Sequence, residues 1–319
     1  MAQRITVTDI LSDVRSQLDE SNVEAVTDDR DLLPALNRAQ NYAVDILARK
    51  YKEPLLKNKA IPTTVSVDLY QIPVDALEAR VLQVEVNQNL SYFKVQYISY
   101  MDASVYEIQS GKSAIPLYYT IVGNYIKLFP ASSGAYPLRV WYLAEPAPLA
   151  KDQGRVNVVN VAGNYLYVDT VGTDLSTESD QLASFVNLVD GNDGTIKATM
   201  QIQSIVGNKI TFKTTPTRTT VMDLTIDTAI PTTVEIDDYI VLAPNTCIPF
   251  FKKPITNFLV EYTTEEMVRK LGGDVQVEER ALAKFERQVE ETWVARPNSF
   301  RVKKRNKNWA RPIKRIGII

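Results

Sequence analysis

The spacing of the hydrophobic residues changes twice along the chain, and this change most constrains the fold. Between residues 5 and 59, apolar side chains recur at three- and four-residue steps, the spacing of amphipathic helices. From about residue 60 the period is two, which is typical of half-buried strands, and helical spacing returns at about residue 255. The sequence therefore predicts an α+β fold in which N- and C-terminal helices form one bundle around inserted β modules.

Changes in pattern and charge predict five segments. A Pro-rich seam at 146–154 separates two β-patterned stretches, and 155–243 holds five basic and eleven acidic residues. The predicted segments are the N-terminal part of the bundle (1–59), an antiparallel β domain (60–150), an inserted acidic, Thr-rich β domain (151–243), the C-terminal part of the bundle (244–295) and a basic docking tail (296–319).

Local signals predict where the helices begin and which faces they bury. Thr8 is the predicted N-cap of a first helix over 9–18, and the acidic run 28–31 opens a second helix that ends before Pro54. Near the C-terminus, two more helices are predicted, separated by Gly272-Gly273. Their predicted buried faces are Phe258, Leu259, Tyr262 and Val268 in one helix, and Val277, Leu282, Phe285, Val289 and Trp293 in the other.

Alternating residues and glycine-containing turns predict the strands. The alternating sets are Val65/Val67/Leu69, Leu82/Val84/Val86 and Leu138/Val140/Tyr142. Gly-Asn pairs stand between apolar runs at 123–124, 163–164 and 207–208. Glycine in the first position of a two-residue loop favours a type II′ turn, so three hairpins are predicted.

Residue usage argues against an enzyme. The chain has no His and a single cysteine, Cys247, so a Cys/His nucleophile is excluded. The Gly111-Lys112-Ser113 segment lacks the glycine that a phosphate-binding loop needs, because position 106 is Tyr. Residues 190–194 lack the later acids of a calcium loop, and Asp237-Asp238 would point to opposite faces of a strand. We predict no catalytic, metal or cofactor site, and Cys247 as a small buried hydrophobe.

A group of tyrosines and the C-terminal tail are the candidate interaction features. The tyrosines Tyr97, Tyr100, Tyr106, Tyr118 and Tyr119 lie close in sequence, and we interpret them as core or interface residues rather than a platform for bases or sugars. The segment 155–243 has no obvious aromatic platform either. The N-terminus has no signal peptide and no window could span a membrane, so the chain is expected to fold in a reducing cytoplasm.

Charge is concentrated in the tail. Residues 296–319 hold nine basic and no acidic residues, whereas 1–295 carries a net charge of −11. Three interpretations remain open: a disordered basic tail, a nucleic-acid-binding arm, and a segment that orders on a protein partner, which we favour because apolar anchors are interleaved with the cations. The candidate docking residues are Phe300, Arg301, Lys303, Lys304, Arg305 and Trp309.

Several segments resemble the head-to-tail connector (adaptor) proteins of tailed bacteriophages. The resemblance lies in residues 7–15 (VTDILSDVR) with 31–40 (DLLPALNRAQ), in 125–131 (YIKLFPA) with 136–142 (YPLRVWY), and in the closing helical pair with its basic tail. Together these segments cover roughly 1–150 and 244–310, and the module 155–243 departs from the minimal family pattern.

The resemblance implies a non-enzymatic virion protein without cofactors, located in the neck. It implies a homododecameric ring around the DNA channel, with the C-terminal extension docked into the portal protein and tail or nozzle proteins on the opposite face. Genomic DNA would pass through the lumen during ejection without sequence-specific binding, and no membrane is involved. The alternatives are a nucleic-acid-binding protein that uses the basic arm, and a receptor- or carbohydrate-binding tail component.

Overall fold

The end helices pack together, and two β units lie between them in sequence. The computed structural model describes residues 5–18, 26–88, 91–109, 115–178, 181–192, 194–222, 224–249, 253–271 and 282–287. Its α-helices are α1 (Val7–Leu18), α2 (Leu33–Lys50), α3 (Tyr100–Gln109) and α4 (Lys253–Lys270), and residues 282–287 are also helical. A π-helical turn (Asp28–Leu32) precedes α2, and 3₁₀ turns occur at Glu53–Leu55 and Leu182–Ser184.

Helices α1, α2 and α4 share one hydrophobic core. Ile10, Leu36 and Leu47 meet Phe258 and Phe285 in this core. The rings of the two phenylalanines stack with centroids 4.1 Å apart, which ties the helical residues 282–287 to α4. The predicted bundle of N- and C-terminal helices, and with it the α+β class, is confirmed.

Two details of the helix prediction are wrong. The N-cap of α1 is Thr6, whose backbone N–H and hydroxyl both donate to Asp9 Oδ2 at 2.9 Å, while Asp9 N–H donates back to the Thr6 hydroxyl. Thr8 lies within the helix, and its hydroxyl donates to Asp152. In α4, Val268 is 37% exposed, because Met267 (1% exposed) takes the buried position. Gly272-Gly273, Val277, Val289 and Trp293 lie outside the described residues.

A curled seven-stranded sheet forms the first β unit. Its strands are β1 (Leu56–Ile61), β2 (Leu69–Gln71), β3 (Ala76–Gln88), β4 (Ser91–Tyr97), β5 (Tyr118–Val122), β6 (Tyr125–Phe129) and β7 (Leu138–Ala144). The strand order is β1-β7-β3-β4-β5-β6-β2, so β1 and β2 are the edges. All pairings are antiparallel except β4–β5, which is parallel and connected through α3. One face buries Tyr70, Val84, Val95, Leu128 and Val140.

Two of the alternating sets differ from the prediction. Residues 65 and 66 form a turn, with Ser66 at a φ of 64°, so Val65 and Val67 are exposed loop residues and not strand residues. Leu82 is exposed although Val84 is buried, because β3 carries a bulge that shifts its register against β7. Glu78 and Ala79, both at positive φ, lie in a second register shift of β3, between Ala76 and Val81.

The second β unit is a closed barrel. Its strands are β8 (Gly154–Asn160), β9 (Tyr165–Val168), β10 (Phe185–Val189), β11 (Ile196–Val206), β12 (Lys209–Phe212) and β15 (Tyr239–Leu242), in the order β10-β11-β12-β9-β8-β15. A hairpin of β13 (Thr220–Val221) and β14 (Leu224–Thr225) is separate from the ring of strands. Apolar side chains such as Leu166, Met200 and Phe212 form the core. That 151–243 folds as a unit by itself stays a prediction.

The three Gly-Asn segments do form hairpins, with two kinds of turn. Gly123 and Gly207 adopt φ values of 59° and 56° in two-residue turns, as type II′ geometry requires. In the third hairpin a four-residue loop, 161–164, joins β8 to β9, and Asn164 takes the positive φ instead of Gly163. The Asn164 side chain is buried and receives a hydrogen bond from Ile230 N–H at 3.0 Å, which explains why asparagine occupies this position.

The chain enters and leaves the barrel beside the bundle. Leu149 and Thr246 form a parallel bridge just outside the first and last barrel strands. Asn37 of α2 donates to Leu149 O (3.0 Å) and accepts from Leu149 N–H (2.7 Å), and Val7 N–H donates to Cys247 O (2.8 Å). The two connecting segments are therefore held against α1 and α2.

Candidate interaction surfaces

The side chains that could ligate a metal are dispersed in the described part of the chain. Its His, Cys, Asp and Glu residues form no group of three that could hold a metal ion. Cys247 is fully buried, and burial raises the pKa of its thiol, so the predicted role as a small buried hydrophobe is confirmed. None of the helices in the described part is long and apolar enough to cross a membrane.

The placement of Asp237 and Asp238 on a strand is wrong, because Asp237 lies in a turn and both residues precede β15, and their environments differ. Asp237 is exposed and pairs with Arg155, whereas Asp238 is 2% exposed. Asp238 accepts hydrogen bonds from Lys197 Nζ at 2.9 and 3.0 Å, and Lys197 also pairs with Asp190 at 2.9 Å. Burial lowers the pKa of Lys197, but the bonds to the two aspartates outweigh it and the net shift is upward. The group is a closed structural network.

The predicted docking residues cannot be located in this structure. Phe300, Arg301, Lys303, Lys304, Arg305 and Trp309 lie outside the described residues, as does Gly111-Lys112-Ser113. Docking of the tail stays a prediction.

The tyrosine group divides into core and surface members. Tyr119 is buried in the sheet core, where burial, with a smaller contribution from Tyr97, raises its pKa. Tyr106 of α3 packs on Tyr118 of β5 with ring centroids 4.5 Å apart. Tyr97 and Tyr100 are exposed, although the Tyr97 ring also contacts Tyr119 edge-on at 5.5 Å. These last two belong to a larger apolar surface.

We define the aromatic patch as Phe93, Tyr97, Tyr100, Met101 and Leu117, each between 53% and 86% exposed. Phe93, Val95 and Tyr97 are two residues apart on β4, so the exposed Phe93 and Tyr97 lie on the same side of the sheet as buried Val95. Leu117 is joined to β4 through the Gln96 N–H bond to its carbonyl, at 2.9 Å, and Tyr100 and Met101 begin α3.

The composition of the aromatic patch is that of a protein interface. Interface cores are enriched in Tyr, Phe and Met and depleted of charged residues, and exposed apolar surfaces rimmed by polar residues mark interaction sites. The sequence analysis identified Tyr97 and Tyr100 but missed Phe93, Met101 and Leu117. The adjacent residues Tyr100 and Met101 at the start of α3 were the one local sequence signal for this exposed surface.

A second surface feature lies between the two edge strands of the sheet. We define the edge groove by its lining: residues 59–62 at the end of β1 and residues 71–74 at the end of β2. Its volume is about 210 Å³, below the roughly 300–1,000 Å³ typical of small-molecule pockets. Among the described residues that line it, Lys59 alone is charged. The groove suits an apolar side chain better than a metabolite.

The opposite side of the sheet carries a satisfied polar cluster. Glu85 of β3 accepts hydrogen bonds from Arg139 Nε (2.5 Å), Trp141 Nε1 (3.2 Å) and Gln83 Nε2 (2.6 Å). Burial raises the pKa of Glu85, but these bonds outweigh it and hold the pKa below its usual value. The Arg139 guanidinium also lies over the Tyr92 ring at 3.8 Å. The cluster stabilises the sheet and offers no general base.

The barrel has outward-facing aromatic residues that the sequence analysis did not recognise. Tyr165 and Tyr167 alternate with buried Leu166 and Val168 on β9, so both point outward, and Lys209 lies 3.9 Å from the Tyr165 ring centroid. The two rings are perpendicular, with an interplanar angle of 90°. They do not form a flat platform on which successive sugars or bases could stack.

Comparison with protein-family models gives a match over the first half of the chain. The family model described as SU10 adaptor protein matches residues 5–173, which include the bundle helices α1 and α2, the whole seven-stranded sheet and the first barrel strands. No curated protein matches the sequence.

Proposed function

Because this chain belongs to the SU10 adaptor protein family, whose model matches more than half of its length, we propose that it is the phage structural protein that connects the portal to the tail. A structural adaptor works by binding other proteins and needs no catalytic group. The aromatic patch carries this proposal, since it lies within the matched residues 5–173 and has the composition of a protein interface. The expected location is the neck of the virion.

The finer proposal is a ring of identical subunits, twelve in number as the initial resemblance implies, around the DNA channel. The net charge of −11 in residues 1–295 supports a lumen that repels DNA, so the genome would pass without being bound. Tail or nozzle proteins would bind the face of the ring opposite the portal.

The basic tail, 296–319, is proposed to dock into the portal. Its nine cations and its apolar anchors Phe300 and Trp309 stand in contrast to the acidic body. Aromatic anchors in pockets dominate interface energies, and a segment that orders only on binding suits a component added late in assembly.

The test compares the full chain, a 1–295 truncation and a chain with Phe300→Ser and Trp309→Ser, each alone and mixed with the portal protein of the same phage. Solution mass and negative-stain images report whether a stacked ring forms. We expect the full chain to join the portal and both altered chains to fail while remaining folded. The double substitution keeps all nine cations, so it separates anchoring by aromatic residues from attraction by charge.

Two results would contradict the proposal. Portal binding by the truncated chain would exclude docking by the tail. If no form binds portal but the full chain shifts DNA mobility, with an affinity that falls steeply with salt and disappears on truncation, the nucleic-acid-binding alternative holds instead.

A further inference from the structure

We propose that the side chains of Lys197 and Asp238 in the barrel condense to an isopeptide bond, with Asp190 as the proton carrier. The ion-paired group described above is the state of the freshly folded chain, and the amide is the product of its reaction. The product is a covalent cross-link between β11 and the residue that precedes β15. This inference concerns the barrel alone and does not depend on the proposed function.

A β-bulge directs Lys197 toward its two partners. Where β10 pairs with β11, Leu188 lies opposite Ala198 and Val189 lies opposite Ile196, so Lys197 is the extra residue of β11. Bulges of this kind change the direction of a side chain and are over-represented beside active sites. The bulge therefore explains how a lysine at the beginning of β11 reaches two carboxylates on other segments of the barrel.

Two unusual backbone positions bring the carboxylates to the lysine. Asp237, directly before Asp238, adopts a φ of 77°, which is strained for a residue with a side chain. Gly191, directly after Asp190, packs so closely on this turn that a Cβ would lie 2.2 Å from Asp237 O. Backbone strain of this kind is concentrated at functional sites. The two turns could not approach each other in this way with a larger residue at position 191.

The contacts of Asp238 are those that amide formation requires. Lys197 Nζ lies 3.0 Å from Asp238 Oδ1 and 2.9 Å from Asp238 Oδ2, so the nitrogen is beside the carboxyl carbon that joins them. Oδ1 accepts from Gly191 N–H at 3.1 Å, and Oδ2 accepts from Glu235 N–H at 2.8 Å. Backbone donors placed in this way stabilise the negative charge that develops on a carboxyl oxygen when a nucleophile adds.

The site is poorly hydrated, which favours the uncharged reactants. Asp238 is 2% exposed, and the neighbouring Val189, Ile196 and Tyr239 pack in one apolar cluster. Transfer of a proton from the ammonium to the carboxylate removes two buried charges and leaves a neutral amine and a neutral acid. Because the aspartates hold most of the lysine in its charged form, we expect the reaction to be slower than folding.

The reaction balances without a co-reactant. The neutral Lys197 nitrogen attacks Asp238 Cγ, and the new C–N bond gives a tetrahedral intermediate. Asp190, whose Oδ2 lies 2.9 Å from Nζ, takes a proton from the nitrogen and passes it to the departing hydroxyl. The C–O bond breaks and water leaves. One ammonium and one carboxylate thus become one amide and one water, and the Asp190 carboxylate is restored.

Mass spectrometry of the denatured natural chain, both fresh and after incubation below its unfolding temperature, tests the bond. We expect the intact mass to fall by one water with time, and a protease digest to yield a branched peptide that joins Lys197 to Asp238. Lys197→Arg and Asp238→Ala should keep their full masses. Asp190→Ala should slow the loss by roughly 100-fold or more, since it removes the proton carrier. The matched control is Asp237→Asn, which alters the adjacent exposed carboxylate and should react as the natural chain does.

A succinimide at Asp190-Gly191 would also lose one water, and Lys197→Arg separates the two reactions. Arginine at 197 cannot form the amide but leaves the Asp-Gly sequence unchanged. Loss of water from Lys197→Arg, with no branched peptide from the natural chain, would overturn the proposal. A natural chain that keeps its full mass after incubation would also overturn it, whether or not the variants fold. Equal rates for Asp190→Ala and the natural chain would exclude Asp190 as the proton carrier.

Discussion

Lys197 neutralises two carboxylates in the barrel, and replacing it with Met tests how far the barrel depends on that charge. Its Nζ lies 2.9 Å from Asp190 Oδ2 and 2.9 Å from Asp238 Oδ2. Methionine keeps an unbranched apolar stem but removes the cation. Asp238 is 2% exposed, so the substitution leaves an uncompensated carboxylate in a poorly hydrated site.

The expected loss of stability is about 3 kcal/mol. Removing one member of a buried ion pair typically destabilises a protein by about 3–5 kcal/mol. The lower end applies here because Asp238 keeps hydrogen bonds from Gly191 N–H (3.1 Å) and Glu235 N–H (2.8 Å).

Urea unfolding followed by circular dichroism at pH 7 measures this loss. The matched control is Lys209→Met, which removes a lysine packed over Tyr165 on the outside of the barrel and should change stability by less than about 1 kcal/mol. Adding Asp238→Asn to Lys197→Met should recover part of the loss. Equal effects of the two lysine substitutions, or no recovery in the double variant, would refute the reasoning.

Three further changes test other parts of the fold. Phe258→Ala removes a buried ring stacked on Phe285 and should lower bundle stability by about 3–5 kcal/mol in thermal unfolding. Gly207→Ala adds strain at positive φ in open space and should lower the free energy of unfolding by about 1–2 kcal/mol. Gly154→Ala should lower it further, because the added Cβ would lie 2.3 Å from the Thr170 backbone carbonyl oxygen. Burial raises the pKa of Asp28, but hydrogen bonds from Lys151 and Arg15 outweigh burial, and the net shift of the pKa is downward. The ionised Asp28 carboxylate therefore stabilises the fold above the unfolded pKa, and this stabilisation is lost as the pH falls through the folded pKa. In an acid titration of stability, Asp28→Asn should therefore show a smaller decrease below about pH 4.

The helical bundle was predictable because its residues follow a strict period. Leu36, Ala39, Ala43 and Leu47 of α2 recur at three- and four-residue steps and are all buried, because such a pattern has one efficient way to bury its apolar face. The N-cap of α1 was harder to predict, since Thr6 and Thr8 are equally good N-cap residues. Only the reciprocal bonds with Asp9 decide between them, and the Thr-x-x-Asp spacing that encodes these bonds is short and common.

The surfaces were less predictable because they depend on strand pairing. Tyr97 and Tyr119 are direct partners in the parallel pairing of β4 and β5, yet only Tyr119 is buried, and no local pattern encodes that difference. The edge groove joins residues 59–62 and 71–74 only because the sheet curls, a property of all seven strands together. The Gly163-Asn164 turn was mistaken for a two-residue loop since its flanking residues look like those of the other two hairpins.

The bridge between Leu149 and Thr246 has a consequence for how this protein can evolve. Because the polypeptide leaves the bundle and returns to it at neighbouring points, the roughly one hundred residues between them form a cassette. If 151–243 folds by itself, as the sequence predicts, we expect a few glycine or serine residues in its place to span the gap without moving α1, α2 or α4. Recombination would then exchange or remove this module while the bundle and the seven-stranded sheet stay in place.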